Sequence, residues 1–125
     1  MSFQPVFPDG LSRPDFPYSP GVVSGDLVYT AGQVANDENG KIVSDEIEAQ
    51  TRRVFENLRA VLKAAGCDLS DVIKVNGYLT DLSNFAVYNN VYREYFSEPY
   101  PARTTVGAPL APGYLVEVEA VARRG

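Results

Sequence analysis

Residues 115–123 alternate with a period of two, placing Val116, Val118, Ala120 and Ala122 on one side and Leu115, Glu117, Glu119, Val121 and Arg123 on the other. This pattern specifies a strand with one dry face and one face that mixes apolar and charged groups. Only two helical patterns occur elsewhere in the chain. Small apolar residues suit the side that two helices would cover, so the Glu-bearing side is left without cover from its own chain. A mixed sheet face with no helix to shield it reads as a subunit interface.

The other segments sort around that strand. Closely spaced prolines through Phe16-Pro17-Tyr18-Ser19-Pro20-Gly21 predict an extended arm that ends near a short strand at Val22-Val23. Ser24-Gly25-Asp26 reads as a hairpin turn into a second strand, Leu27 to Ala31, which Gly32 ends. Glu38-Asn39-Gly40-Lys41 is a turn before Ile42-Val43. Asp45 and Glu48 resemble a capping box, Ile47, Val54, Leu58, Val61, Leu62 and Ala65 recur at helical spacing, and Gly66 follows as C-terminal cap. Val72 to Thr80 is β-branched and long enough for a central strand.

A second helix is expected to be capped near Asp81 or Ser83, to present Phe85, Tyr88, Tyr92, Tyr95 and Phe96 along one side, and to stop at Pro99 and Pro101. Arg103 to Gly107 and Leu115 to Arg123 are the last strands, joined through a Pro112-Gly113 type II turn. A chain of 125 residues with 45% hydrophobic content is one globular domain, residues 1–125.

The residue inventory removes whole reaction classes. Histidine is absent, which excludes Ser-His-Asp and Cys-His nucleophilic systems, His-ligated zinc and His bases within one chain. Cys67 is the single cysteine, expected at a helix end and inert, so no internal disulfide and no metal cluster is expected. Dinucleotide and phosphate-loop fingerprints are missing. A net charge of −5 opposes a nucleic-acid partner, because that affinity comes from clustered Lys and Arg. No apolar run spans a bilayer and Met1-Ser2-Phe3-Gln4-Pro5 is not a secretory signal, so no membrane partner and a cytoplasmic location are expected. What remains is cofactor-free chemistry or plain binding, through Arg, Asp/Glu, Tyr, Ser/Thr, Lys or backbone groups.

Arg103, at the mouth of one strand after Tyr100-Pro101-Ala102, is suited to hold a carboxylate or phosphate by two parallel charge-assisted hydrogen bonds. Glu117 or Glu119 on the following strand could handle a proton or a water. The competing reading is structural: Arg103 in an ion pair with a strand glutamate, and both glutamates on a wet surface. Tyr88, Tyr92 and Tyr95 read as core and interface packing rather than a stacking platform.

Taken in order, Pro17-Tyr18-Ser19-Pro20-Gly21, Tyr29-Thr30-Ala31-Gly32-Gln33, Lys63-Ala64-Ala65-Gly66, Val72-Ile73-Lys74, Leu79-Thr80-Asp81-Leu82, Phe85-Ala86-Val87-Tyr88-Asn89, Pro101-Ala102-Arg103 and Val116-Glu117-Val118-Glu119-Ala120 resemble the RidA/YjgF family of reactive-intermediate deaminases over nearly the whole length. The resemblance implies a chorismate-mutase-like α+β fold, with a mixed sheet, two helices on one face and a homotrimer formed through the other. It also implies a site in the cleft between subunits, where enamine or imine acids of the 2-aminoacrylate type are hydrolysed to 2-keto acids and ammonia without a cofactor.

By position, Arg103 matches the family's carboxylate-gripping arginine and Glu117 its water-orienting glutamate. Tyr18 matches the site tyrosine, Asn89 the helix asparagine beside the pocket, and Gly32 a glycine whose backbone approaches the ligand. Glu119 has no motif role and is expected in a structural salt bridge. Two positions depart from the pattern. Thr105 stands where cysteine is usual, at a position that acts through backbone groups, and Ala31 replaces a pocket serine, removing one hydroxyl. The alternatives are a non-catalytic trimeric binder or sensor of small keto acids and a catabolic branch acting on aminomuconate-like acids or in pyrimidine breakdown. The RNA-cleaving activity of older family names comes third.

Overall fold

In the computed structural model, which describes residues 2–9 and 15–125, two helices lie across one face of a six-stranded sheet. The strands are β1 (Gln4–Val6), β2 (Gly21–Ser24), β3 (Leu27–Thr30), β4 (Val72–Leu79), β5 (Ala102–Gly107) and β6 (Val116–Arg123), in the spatial order β1-β2-β3-β6-β4-β5. Only β4 and β5 run parallel. The helices are α1 (Ile47–Ala64), between β3 and β4, and α2 (Phe85–Tyr95), between β4 and β5. The fold is α+β with a mixed sheet.

The alternation of β6 sets the layers as expected. Val116, Val118, Ala120 and Ala122 are buried with Val28 and Val75 against Val54, Phe55, Leu58 and Leu62 of α1 and Tyr88, Val91 and Tyr92 of α2. Phe55 is the hub, with its ring 5.2–6.0 Å from those of Tyr88, Tyr92, Tyr95 and Phe96. Tilted and edge-on aromatic contacts of this kind add about 0.5–1.5 kcal/mol each beyond burial. The other face bears Leu27, Tyr29, Tyr78, Glu117, Glu119 and Val121, and no helix covers it.

Local signals held in most places. Gly66 at φ +83° closes α1 as a Schellman cap, with the Cys67 N–H donating to Leu62 O at 2.8 Å and the Gly66 N–H to Lys63 O at 3.0 Å. Ala111-Pro112-Gly113-Tyr114 is a type II turn, with Gly113 at φ +88° and the Tyr114 N–H on Ala111 O.

Four expectations are corrected. The arm contains β1, whose Pro5 is tolerated because β1 is an edge strand paired only with β2; residues 10–14 of that arm lie outside the described residues. The Asp45/Glu48 capping box does not form, because α1 starts at Ile47 after an uncapped Glu46, whose N–H donates to Ser44 Oγ. Asp81 caps a 3-10 turn, Leu82–Asn84, that leads into α2, not α2 itself. Finally, β4 is interior but not central, since β6 separates it from β3.

Two polar residues inside the apolar stripe of α1 hold distant backbone in place. Gln50 is fully buried; its amide donates to Ser44 O and Gly113 O and accepts from the Leu115 N–H at 2.8 Å, fixing the entry of β6. Asn57 donates to Val34 O and Asn36 O at 2.9 Å, holding the loop after Gly32. Both satisfy backbone groups that would otherwise be buried without partners.

Candidate functional site

β5 and β6 are not neighbours, because β4 lies between them. Arg103 aligns with the buried Val75, and Thr105 with Gly77, so both side chains are on the helix-covered face. Glu117 aligns with Tyr78 and Glu119 with Asn76, on the opposite face. The structural alternative of an Arg103–glutamate ion pair is therefore excluded within the chain. So is the picture of Arg103 and a carboxylate side by side on consecutive strands.

On the covered face, Arg103 Nη1 donates to Asn89 Oδ1 at 2.7 Å. The guanidinium lies 4.8 Å from the Tyr92 ring centroid, 5.4 Å from that of Phe85 and 5.8 Å from that of Tyr88. Such stacking is worth about 0.5–2 kcal/mol and fixes the plane of the fork. The aromatic stripe of α2 thus does two jobs. It packs the core, as expected, and it floors the arginine, which its spacing did not signal. Gly77 makes this possible, since a Cβ there would lie 2.5 Å from the Tyr88 hydroxyl. A glycine inside a β-branched strand was the available clue to a close approach.

On the open face, β3 leaves its ladder with β6 after Tyr29, which pairs with Val121, and contact resumes only at Gln33 opposite Val118. Three residues thus face two. This bulge is closed by the Thr30 hydroxyl, which accepts the Ala120 N–H at 3.0 Å. It brings Gly32 against Glu117, so closely that a Cβ on Gly32 would fall 2.1 Å from Glu117 Oε2. Ala31 donates its N–H to Pro20 O at 2.8 Å, which ties the Tyr18 segment to the same corner, and the Tyr18 ring is 54% exposed. Burial, and secondarily the charge of Glu119, pushes the Glu117 carboxyl above its ordinary range.

Glu119 is not in the expected salt bridge. It accepts from Asn76 Nδ2 at 3.3 Å and hydrogen-bonds Tyr78, whose hydroxyl is pushed up by burial first and then by Glu119. Cys67 follows the end of α1, buried, its thiol pushed up chiefly by burial. No helix among the described residues is long and apolar enough to cross a membrane.

The sequence-predicted residues thus fall into two groups. Arg103, Asn89 and Thr105 are on one face; Glu117 and Gly32 are on the other, with Ala31 next to Gly32 in the chain and the Tyr18 segment tied to it through Pro20. One chain does not join them.

A family model described as endoribonuclease L-PSP matches residues 11–124. A RutC family protein of Pyrococcus abyssi is 44% identical over 124 residues, covering 98% of each chain. A 2-iminobutanoate/2-iminopropanoate deaminase of Dermatophagoides farinae is 38% identical over 111 residues, 87% of each. Among solved structures, RidA from an Antarctic Psychrobacter superposes with a TM-score of 0.90 at 41% identity, covering 96% of this chain and 98% of that one. With matches of this extent in sequence and in fold, the chain belongs to the RidA/YjgF family, whose family model bears the name endoribonuclease L-PSP.

Proposed function

We propose that the protein hydrolyses small enamine or imine acids to 2-keto acids and ammonia, without a cofactor, at sites shared between copies in a homotrimer. The observation that carries this reading is the division of the site. A carboxylate anchor without a carboxylate partner among the described residues is set on one face, and a glutamate held above its ordinary proton affinity stands on the other. The name of the Dermatophagoides relative supplies the substrate class.

Arg103 of one copy holds the substrate carboxylate through Nε and Nη2, since Nη1 is engaged by Asn89. Glu117, with Tyr18, Ala31 and Gly32, comes from the neighbouring copy. The enamine takes a proton at carbon and becomes the more electrophilic protonated imine. Glu117 accepts a proton as water forms a C–O bond to the imine carbon, and the C=N π electrons move to nitrogen. Glu117 passes that proton to the carbinolamine nitrogen; the C–N bond then breaks with its electrons on nitrogen while the hydroxyl O–H electrons form the C=O and the hydroxyl proton goes to Glu117, so ammonia leaves and the keto acid remains. A glutamate with raised proton affinity suits transfers in both directions. Backbone groups at Thr105, on the edge strand β5, help to hold the water.

The test is complementation. Arg103→Ala and Glu117→Gln chains, each inactive alone, are unfolded together and reassembled. If each site takes its arginine and its glutamate from different copies, random mixing restores about a quarter of the sites. No recovery in mixtures of trimeric mass sinks the shared-site mechanism. A second reading, a non-catalytic keto-acid sensor, is favoured by Ala31, which brings a methyl group where the resembled pattern has a serine hydroxyl. It requires binding without release of ammonia.

A further inference from the structure

A cleft of about 260 Å³ opens beside Arg103, lined by Asn89, Tyr92, Arg93, Tyr100, Pro101 and Arg103. It contains two guanidinium groups and no carboxylate, in a chain whose net charge is −5. Of the other arginines described, Arg52, Arg53, Arg59 and Arg123 each meet a Glu or Asp, and Arg124 donates to Gly25 O far from this cleft. Arg93 and Arg103 have no such partner among the described residues. Each donates instead to a neutral asparagine oxygen, Arg93 to Asn90 at 3.2 Å and Arg103 to Asn89 at 2.7 Å.

A second observation is independent of charge. The buried side-chain hydroxyls left without a partner among the described residues are those of Tyr88 and Tyr92, whose rings the Arg103 guanidinium overlies, and of Thr105, two residues along its strand. Tyr92 is 4% exposed and also lines the cleft. Unpartnered buried polar groups are rare and unfavourable, so the Tyr92 hydroxyl beside this cleft is a group that an oxygen-bearing occupant would satisfy.

A single carboxylate is already served by the Arg103 fork. Arg93 follows Asn89 by four residues on α2, so its stem leaves the helix about 6 Å farther along. That is a second cationic position in one small cleft, below the roughly 300–1,000 Å³ of sites for drug-sized ligands. Resting on the reading of Arg103 as the carboxylate anchor, we propose that the acid handled here has a second carboxylate, held by Arg93 with the Tyr92 hydroxyl donating in the same cleft. The substrate class is then short imino diacids, with the corresponding 2-keto diacids as products.

The test compares 2-oxoglutarate with 2-oxopentanoate, which replaces the distal carboxylate by a methyl group. Both are titrated calorimetrically, at one ionic strength, into the wild-type protein, Arg93→Gln and Arg103→Lys. The diacid is expected to bind about tenfold tighter to wild type. Arg93→Gln brings its affinity down toward that of the monoacid, and Arg103→Lys weakens both. Equal or tighter binding of the monoacid by wild type overturns the proposal, as does Arg93→Gln lowering both acids by one factor. If the acids bind equally and Arg103→Lys loses both, the diacid class falls while the anchor stands. If neither acid binds, or Arg103→Lys binds normally, the anchor itself fails and the diacid class with it. Arg93 is exposed, so its replacement leaves the core intact, which a circular dichroism spectrum verifies.

Discussion

Arg103 and Glu117 share one six-stranded sheet, yet Arg103 is pressed onto an aromatic floor under α2 while Glu117 stands on a face that no helix covers. The arginine is held by packing. Phe85, Tyr88 and Tyr92 fix its plane and Asn89 takes one of its donors. The glutamate is held by backbone, through a bulge that drives Gly32 against its carboxylate and a strand entry that Gln50 pins. The proposed anchor is set against a packed core. The proposed proton carrier is left on a face that no helix covers.

The largest effect should separate anchoring from proton transfer. Arg103→Lys is expected to lose keto-acid affinity nearly as fully as Arg103→Ala, because an ammonium cannot reproduce the fork or lie flat on Tyr92. The expected loss is about 2–5 kcal/mol, roughly thirty-fold to several-thousand-fold. Glu117→Gln should retain keto-acid affinity and lose turnover, since its proposed task arises only when water attacks. Titration and ammonia release, measured on assemblies of unchanged mass, decide the matter. A lysine variant of near wild-type affinity would break the contrast.

One glycine on each face provides the next comparison. Gly77→Ala puts a Cβ 2.5 Å from the hydroxyl of Tyr88, a side chain with no exposure and no room to move, so destabilisation of about 1–3 kcal/mol is expected from overpacking. Gly32→Ala meets the movable end of Glu117 instead. Its melting temperature should stay near wild type while turnover drops, because the carboxylate is pushed from its place. Equal melting losses in the two variants would mean that the faces are equally rigid.

The contrast between faces also explains what was legible in the chain. The period of β6 separated a covered side from an open side correctly, because alternation is a local property of one strand. The side on which Arg103 lies was not legible. It is set by the register of β5 against β4, and nothing within Arg103 to Gly107 specifies that pairing. The same distance in sequence hid Gln50 and Asn57, which hold backbone groups 63–65 and 21–23 residues away and whose letters only interrupt a helical stripe. The bulge at Thr30 to Gly32 was missed for a related reason, since an extra residue is visible only against the strand that lacks one. The candidate residues were picked out by type and motif; their division between two faces is a tertiary fact.

The smallest effect concerns the two glutamates of the open face. Glu117 has its proton affinity raised by burial first and by the charge of Glu119 second. If ionised Glu117 activates the water, kcat/KM falls as pH drops through its pKa, and this acidic limb lies above the ordinary carboxylate range. Glu119→Gln removes the second cause and leaves the first, so the limb should move to lower pH by less than the full displacement. Stability carries the complementary sign. A carboxyl whose folded pKa is raised binds its proton more tightly in the folded chain, so that contribution is complete below the ordinary carboxylate pKa and is lost as pH rises through the folded one. Glu119→Gln should therefore narrow the window in which stability falls with rising pH. Carbon NMR titration of the Glu117 carboxyl in wild type and Glu119→Gln measures the displacement directly. A Glu117 pKa that stays put or climbs in the variant would show that the two carboxylates are insulated, and that burial alone sets the poise of the open face.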